Sequence, residues 1–251
     1  MASMEKEPIP DKGSTAGRIM VALDFGSGEE AMRVIRQLQG IPCWLKVGME
    51  LYYAAGPEFV RELKQLGHRV FLDLKLHDIP NTVRGAARSI ARLGVDMFNV
   101  HAAGGLRMME AALEGVRDAA AEGVPAPVVI AVTQLTSTDQ TVLNEQIGIP
   151  GTMEEAVLKY ASLAREAGLH GVVASSREVR RLKRELGAGF LAVTPGIRPE
   201  GSDRGDQARV MTPREAFAEG ADYIVIGRPI TRAPDPRQSL LDVITSVESP
   251  H

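Results

Sequence analysis

From Arg18 onward, short apolar runs alternate along the chain with amphipathic stretches of helical period. The runs of strand length are Ile19–Leu23, Cys43–Val47, Val70–Leu74, Met97–Val100, Val128–Val132, Gly171–Ala174, Phe190–Val193 and Tyr223–Ile226. Between and after them, apolar residues recur with helical spacing in Glu29–Leu38, Glu58–Leu66, Asn81–Leu93, Gly105–Ala120, Met153–Ala167, Ser176–Leu186, Pro213–Glu219 and Pro236–Val247, as expected of helices with one buried face. Strict alternation predicts an α/β protein with a parallel sheet, and eight repeats predict a single (β/α)8 TIM barrel. The rival, an open doubly wound sheet, would carry a G-x-G-x-x-G turn after its first strand. Here the first strand runs into Asp24-Phe25-Gly26-Ser27-Gly28 instead. Residues 1–17 carry Pro, Gly, Ser and charges without apolar period, so a disordered leader is expected there and the barrel over 18–251.

Composition narrows the partners rather than the fold. The chain has 251 residues, 44% hydrophobic and 24% charged, enough for a sizeable core in one barrel. A formal net charge of -3, with Lys and Arg scattered, argues against a nucleic-acid surface and leaves a small anion as the expected ligand. The single cysteine, Cys43, forbids an intramolecular disulfide and fits a reducing cytoplasm. No apolar run approaches the roughly 18 residues of a membrane span, and no signal-peptide core precedes the barrel. A cytoplasmic, unexported protein is expected.

Catalytic groups of a barrel sit at the C-terminal ends of its strands, and the polar residues gather there. Asp24 ends the first strand, Lys46 lies near the end of the second, Asp73 and Lys75 end the third, and His101 the fourth; Thr136, Ser175, Arg198 and Gly227-Arg228 follow in the remaining strands. Asp73 and Lys75 are two apart, so on an extended strand they share a face. With Asp24 and Lys46 they form an alternating acid–base set. It is either an ion-pair network closing the barrel mouth or a charge-based catalytic site, and four such groups on consecutive strand ends favour the second. No Cys, Glu or His cluster suggests a metal, and His77 and His101 read as structural histidines. At the far end, Thr194-Pro195-Gly196-Ile197-Arg198 leads into a polar loop reaching Gln207, and Gly227-Arg228-Pro229 follows the last strand. Backbone N–H groups and an Arg fork there suit a phosphate; the alternative is a plain surface turn.

These segments together resemble the orotidine 5'-phosphate decarboxylase family over about Arg18 to Val247. The likeness rests on Ala22-Leu23-Asp24, Lys46-Val47-Gly48, the whole run Asp73–Thr82, Asn99–Gly105, Ala131–Ser137, Thr194–Arg198 and Gly227-Arg228. The resemblance implies a metal- and cofactor-free decarboxylation of orotidine 5'-phosphate to UMP in pyrimidine biosynthesis, with Lys75 protonating C6, Asp73 beside the substrate carboxylate and Lys46 holding the charge array. It further implies that Asp24, with Lys46 nearby, binds the ribose and Thr136 the pyrimidine edge, and that Arg198, Gln207, Gly227 and Arg228 take the phosphate. Asp78, Ile79 and Thr82 would complete the site of the partner in a homodimer. The related 3-keto-L-gulonate 6-phosphate decarboxylases share D-x-K-x-x-D but use magnesium, with a carboxylate where this chain has Lys46. A non-catalytic phosphate-binding barrel is the third alternative.

Overall fold

The computed structural model describes residues 13–199 and 211–249. Its strands are β1 (Ile19–Leu23), β2 (Trp44–Gly48), β3 (Arg69–Leu76), β4 (Met97–His101), β5 (Val128–Val132), β6 (Gly171–Val173), β7 (Leu191–Thr194) and β8 (Tyr223–Ile226). They pair in parallel in chain order, and β8 pairs back on β1 to close a barrel. The fold is the expected TIM barrel, and every predicted strand is present with ends shifted by at most two residues.

The helices are α1 (Gly28–Gln37), α2 (Met49–Gln65), α3 (Pro80–Ala91), α4 (Leu106–Ala120), α5 (Met153–Glu166), α6 (Ser176–Leu186), α7 (Pro213–Ala218), α8 (Arg228–Thr231) and α9 (Pro236–Glu248). Only the second half of α2 was expected. Gly56, with φ of 74°, and Pro57, which lacks an N–H, interrupt that helix. The turns before them expose Met49 and Tyr53, so no amphipathic stripe marks them in the sequence. A short π-helical turn, Val142–Gln146, between β5 and α5 also escaped the pattern. Among the described residues no helix is long and apolar enough to cross a membrane.

Strand periodicity builds the barrel from inside out. Alternate residues point inward: Met20 and Ala22, Trp44, Phe71, Met97, Val128 and Ile130, Leu191 and Val193, Tyr223 and Val225 fill the interior. The intervening residues pack outward against the helices. At the floor, Trp44 meets Tyr223 edge-on, centroids 5.4 Å apart. The buried indole N–H of Trp44 donates to the carbonyl of Gly17 at 3.0 Å, and Ala16 to Arg18 form a 3-10 turn. The fold therefore takes in Ala16 and Gly17, which the sequence assigned to the leader; 1–12 lie outside the described residues.

The same lower face repeats one device. At the start of β4, Asp96 accepts the N–H of Val70 at 2.7 Å and pairs with Lys64 at 2.5 Å. At the start of β8, Asp222 accepts the N–H of Ala192 at 2.7 Å and pairs with Lys183 at 2.5 Å. His170 Nδ1 stands in the corresponding place, 3.0 Å from the N–H of Val129. Each ties an even strand to its predecessor on the face away from the polar strand ends.

Candidate active site

Extending the inward positions toward the C-terminal ends of β1 to β4 replaces apolar residues with charged or amide ones. Met20 and Ala22 lead to Asp24, Trp44 to Lys46, Phe71 to Asp73, and Met97 to Asn99. Lys46 Nζ lies 3.2 Å from Asp24 Oδ1 and 3.4 Å from Asp73 Oδ2. Lys75 Nζ donates to Asp73 Oδ1 at 2.7 Å. The four charges thus form one chain, Asp24–Lys46–Asp73–Lys75, across three strands. Side-chain exposure is 14% for Asp73, 10% for Lys46 and 24% for Lys75, but 58% for Asp24, so the chain runs from the barrel interior to its rim. Gly48 leaves it room: a Cβ there would stand 3.1 Å from Lys46 Nζ and 3.4 Å from Asp24 Oδ1.

Asp73 carries the electrostatic weight. Burial pushes its carboxyl pKa up, but Lys46 and Lys75 close beside it, with hydrogen bonds from Lys75 and Asn99, more than offset that and hold it below the ordinary carboxylate value. An ionised carboxylate this deep persists only because it is paired and hydrogen-bonded. His101 has its ring centroid 5.5 Å from that of His77. Its pKa is lowered by burial first, then by His77 and Lys75, which leaves a neutral imidazole at pH 7.

The Asp73–Lys75 contact is as expected, but it is reached by another route. Between Leu72 and Leu76 the register of β3 shifts against β4: Leu72 pairs with Phe98 and Leu76 with Val100, so extra β3 residues bulge at Asp73 to Lys75. Lys75 has φ of 54°, the one non-glycine residue with positive φ among those described. Its N–H, released from the ladder, donates to Asn99 Oδ1 at 2.8 Å, and Asn99 Nδ2 donates to Asp73 Oδ1 at 2.7 Å.

A cavity of about 450 Å³ opens above this network. Asp24, Lys46, Asp73, Lys75, Thr136, Arg198, Gly227 and Arg228, all expected site residues, line it. Arg198 is buried and donates to the carbonyl of Ile197 at 3.0 Å, while Ile197 bridges to Met211 in parallel. Gln207 lies outside the described residues. Helix α8 starts directly after Gly227 with Pro229 in its first turn. Asp78, Ile79 and Thr82 are exposed and do not line this cavity. They sit at the start of α3, which packs closely on α4 because Gly115 has no side chain; a Cβ there would collide with the carbonyl of Arg84.

Sequence reasoning overlooked four residues. Glu50, Gln134 and Arg232 also line the cavity, and the first and last continue into an outer hollow of about 430 Å³ beside Asp24. Gln134 entered only through a segment that carries the resemblance, and so did Asn99. Its signal was there: a lone amide in the apolar strand Met97–His101.

Comparison with known proteins places this geometry. The model of the "Orotidine 5'-phosphate decarboxylase / HUMPS family" matches residues 17–243. The chain belongs to this family. An orotidine 5'-phosphate decarboxylase of Moorella thermoacetica is 55% identical over 232 residues, 92% of this chain and 92% of its own. One from Bacillus caldolyticus is 56% identical over 217 residues, 86% of this chain and 89% of its own. Among solved structures, an orotidine 5'-phosphate decarboxylase from Lactobacillus acidophilus superposes with a TM-score of 0.82 at 39% identity, covering 92% of this chain and 99% of its own. The family match begins at Gly17, the residue that Trp44 holds at the barrel floor.

Proposed function

We propose that the chain is a carboxy-lyase that converts orotidine 5'-phosphate to UMP and carbon dioxide in pyrimidine biosynthesis, using fixed side-chain charge and no metal or organic cofactor. The observation that carries this reading is the unbroken chain Asp24–Lys46–Asp73–Lys75 lining the cavity of a member of this family.

The chemistry explains why such residues suit the task. When the bond from C6 to the carboxylate breaks, its electron pair stays on C6, in the ring plane, where the π system cannot take it up. Carbon dioxide leaves, and a proton from Lys75 completes UMP. Lys75 serves both steps, stabilising charge as it develops and then delivering the proton. Asp73 anchors the ammonium of Lys75 and stands where the substrate carboxylate would lie. Lys46 balances Asp73 and, with Asp24, meets the ribose. Thr136 contacts the pyrimidine edge. Arg198, Gln207, Gly227 and Arg228 hold the phosphate, whose remote binding energy helps assemble the site.

A cytoplasmic homodimer belongs to the same reading, with Asp78, Ile79 and Thr82 entering the partner's site. Their exposure, with Ile79 67% accessible, supports it, and the buried single cysteine fits a reducing compartment. Magnesium-dependent sugar-phosphate decarboxylation is disfavoured by Lys46, whose ammonium stands between the carboxylates of Asp24 and Asp73 where a divalent cation would have to bind.

A spectrophotometric assay of orotidylate loss, run with and without a chelator, tests the proposal. Equal turnover in both is expected. Full loss with chelator would defeat the cofactor-free claim, and tight UMP binding without turnover would defeat the decarboxylase.

A further inference from the structure

Asn99 is 1% exposed and absent from the cavity lining, yet both ends of its amide are engaged with the two residues closest to the chemistry. We propose that Asn99 is a positioning residue: its carbonyl oxygen secures the bulged backbone of Lys75 while its N–H grips Asp73, so one rigid amide sets the ammonium and its counter-ion in their working geometry. The inference rests on the reading of Lys75 as proton donor.

Three observations lead there. The register shift between Leu72 and Leu76 takes the backbone of Asp73 to Lys75 out of the regular ladder with β4. A backbone N–H in a barrel wall needs a partner, and Asn99 Oδ1 supplies one to Lys75 at 2.8 Å. Lys75 adopts a left-handed φ of 54°, a conformation an L-residue with a long side chain keeps only where its surroundings impose it. Finally, Asp73 Oδ1 receives Asn99 Nδ2 and Lys75 Nζ, each at 2.7 Å, while Oδ2 faces Lys46. The Asn99 bond thereby fixes which carboxylate oxygen faces which lysine, and against the upward push of burial it adds to the lowering of the Asp73 pKa by Lys46 and Lys75. The side chain is oriented by chemistry alone, since only its carbonyl end can accept from Lys75 and only its amide end can donate to Asp73.

The substitutions Asn99→Leu and Asn99→Asp test the role in different ways. Asn99→Leu keeps the branched shape and the number of heavy atoms and removes both hydrogen bonds. Its kcat for orotidine 5'-phosphate is expected to fall about 10²-fold, the scale of a reacting group misplaced by an ångström, with KM and UMP affinity within about threefold of the parent. Asn99→Asp restores both bonds only while protonated. The charged groups around that position are Asp73 and Lys75 on β3 and Lys46 on β2, with His77 and His101 beyond Lys75. Lys46 and Lys75 favour the ionised form of Asp73, so a proton shared by the two acids sits on the introduced one. Its kcat is expected to rise by about tenfold as pH falls from about 8 to about 6, against the parent profile, which carries the same histidines.

Parental kcat in Asn99→Leu, or an Asn99→Asp profile parallel to that of the parent, overturns the inference. So does a loss seen only in thermal stability or spread equally over kcat and KM, which marks a merely structural amide. Lys75→Ala assayed alongside separates the two claims: if it is active, the proton-donor reading fails and takes this inference with it. If it is inactive while Asn99→Leu is normal, this inference alone fails.

Discussion

Lys75 holds the one left-handed backbone among the described non-glycine residues, with φ of 54°, so its replacement separates backbone strain from side-chain chemistry. Lys75→Ala and Lys75→Gly both delete the ion pair with Asp73, and both keep the N–H that donates to Asn99. They differ by one Cβ. A Cβ in the left-handed region costs about 1–2 kcal/mol, and glycine gives back about 0.5–1 kcal/mol through its freer unfolded chain. The glycine variant is therefore expected to be the more stable of the two, by about 0.75 kcal/mol at the centre of those ranges, a melting-temperature difference of about 1.5–3 °C for a chain of this size. Urea unfolding of the pair, followed by circular dichroism at neutral pH and read as midpoints at a common slope, measures it. Coincident midpoints, or a more stable alanine variant, would refute the strained bulge on which the placement of the ammonium depends.

Asp222→Ala removes a carboxylate that is 5% exposed and serves both Lys183 and the N–H of Ala192; it should cost about 3–5 kcal/mol in denaturant unfolding while leaving turnover per folded molecule unchanged. Arg92→Ala breaks the exposed pair with Glu122 and should leave the midpoint in place. Because the pKa of Asp73 is depressed in the folded protein, its stabilising contribution is complete above the unfolded value of about 3.9 and is lost as pH falls through the lower folded value. The stability difference between the parent and Asp73→Asn, followed by urea unfolding across the acid range, should therefore shrink over that window; a difference independent of pH would contradict the assignment. Mixing Lys75→Ala with Asp78→Ala protein should restore part of the activity through hybrid dimers with one intact site, and no recovery after demonstrated subunit exchange would count against shared sites.

Most of the barrel was legible because each strand carries its own evidence: an apolar run, a helical period after it, and a polar residue where the run ends. Asp24, Lys46, Asp73 and Lys75 could be found the same way, since their strand-end positions are local features. The bulge at Lys75 was not, because it is imposed by the pairing of Leu72 and Leu76 with β4, and strand periodicity alone describes a regular strand. Asn99 went unassigned for the same reason; its role exists only across that irregular pairing. Gly17 was placed outside the fold because its partner, the indole of Trp44, is far along the chain. The first half of α2 lacked an apolar stripe, its Met49 and Tyr53 being exposed.

If the ammonium of Lys75, held by Asp73 at 2.7 Å, supplies the proton that completes UMP, its removal must slow the chemical step itself. Single-turnover decarboxylation of orotidine 5'-phosphate by Lys75→Ala, with UMP affinity and melting temperature as controls for an intact site, tests it most directly. A rate lower by at least about 10³-fold is expected, with both controls near the parent; a rate within about tenfold of the parent would rule out Lys75 as the proton donor.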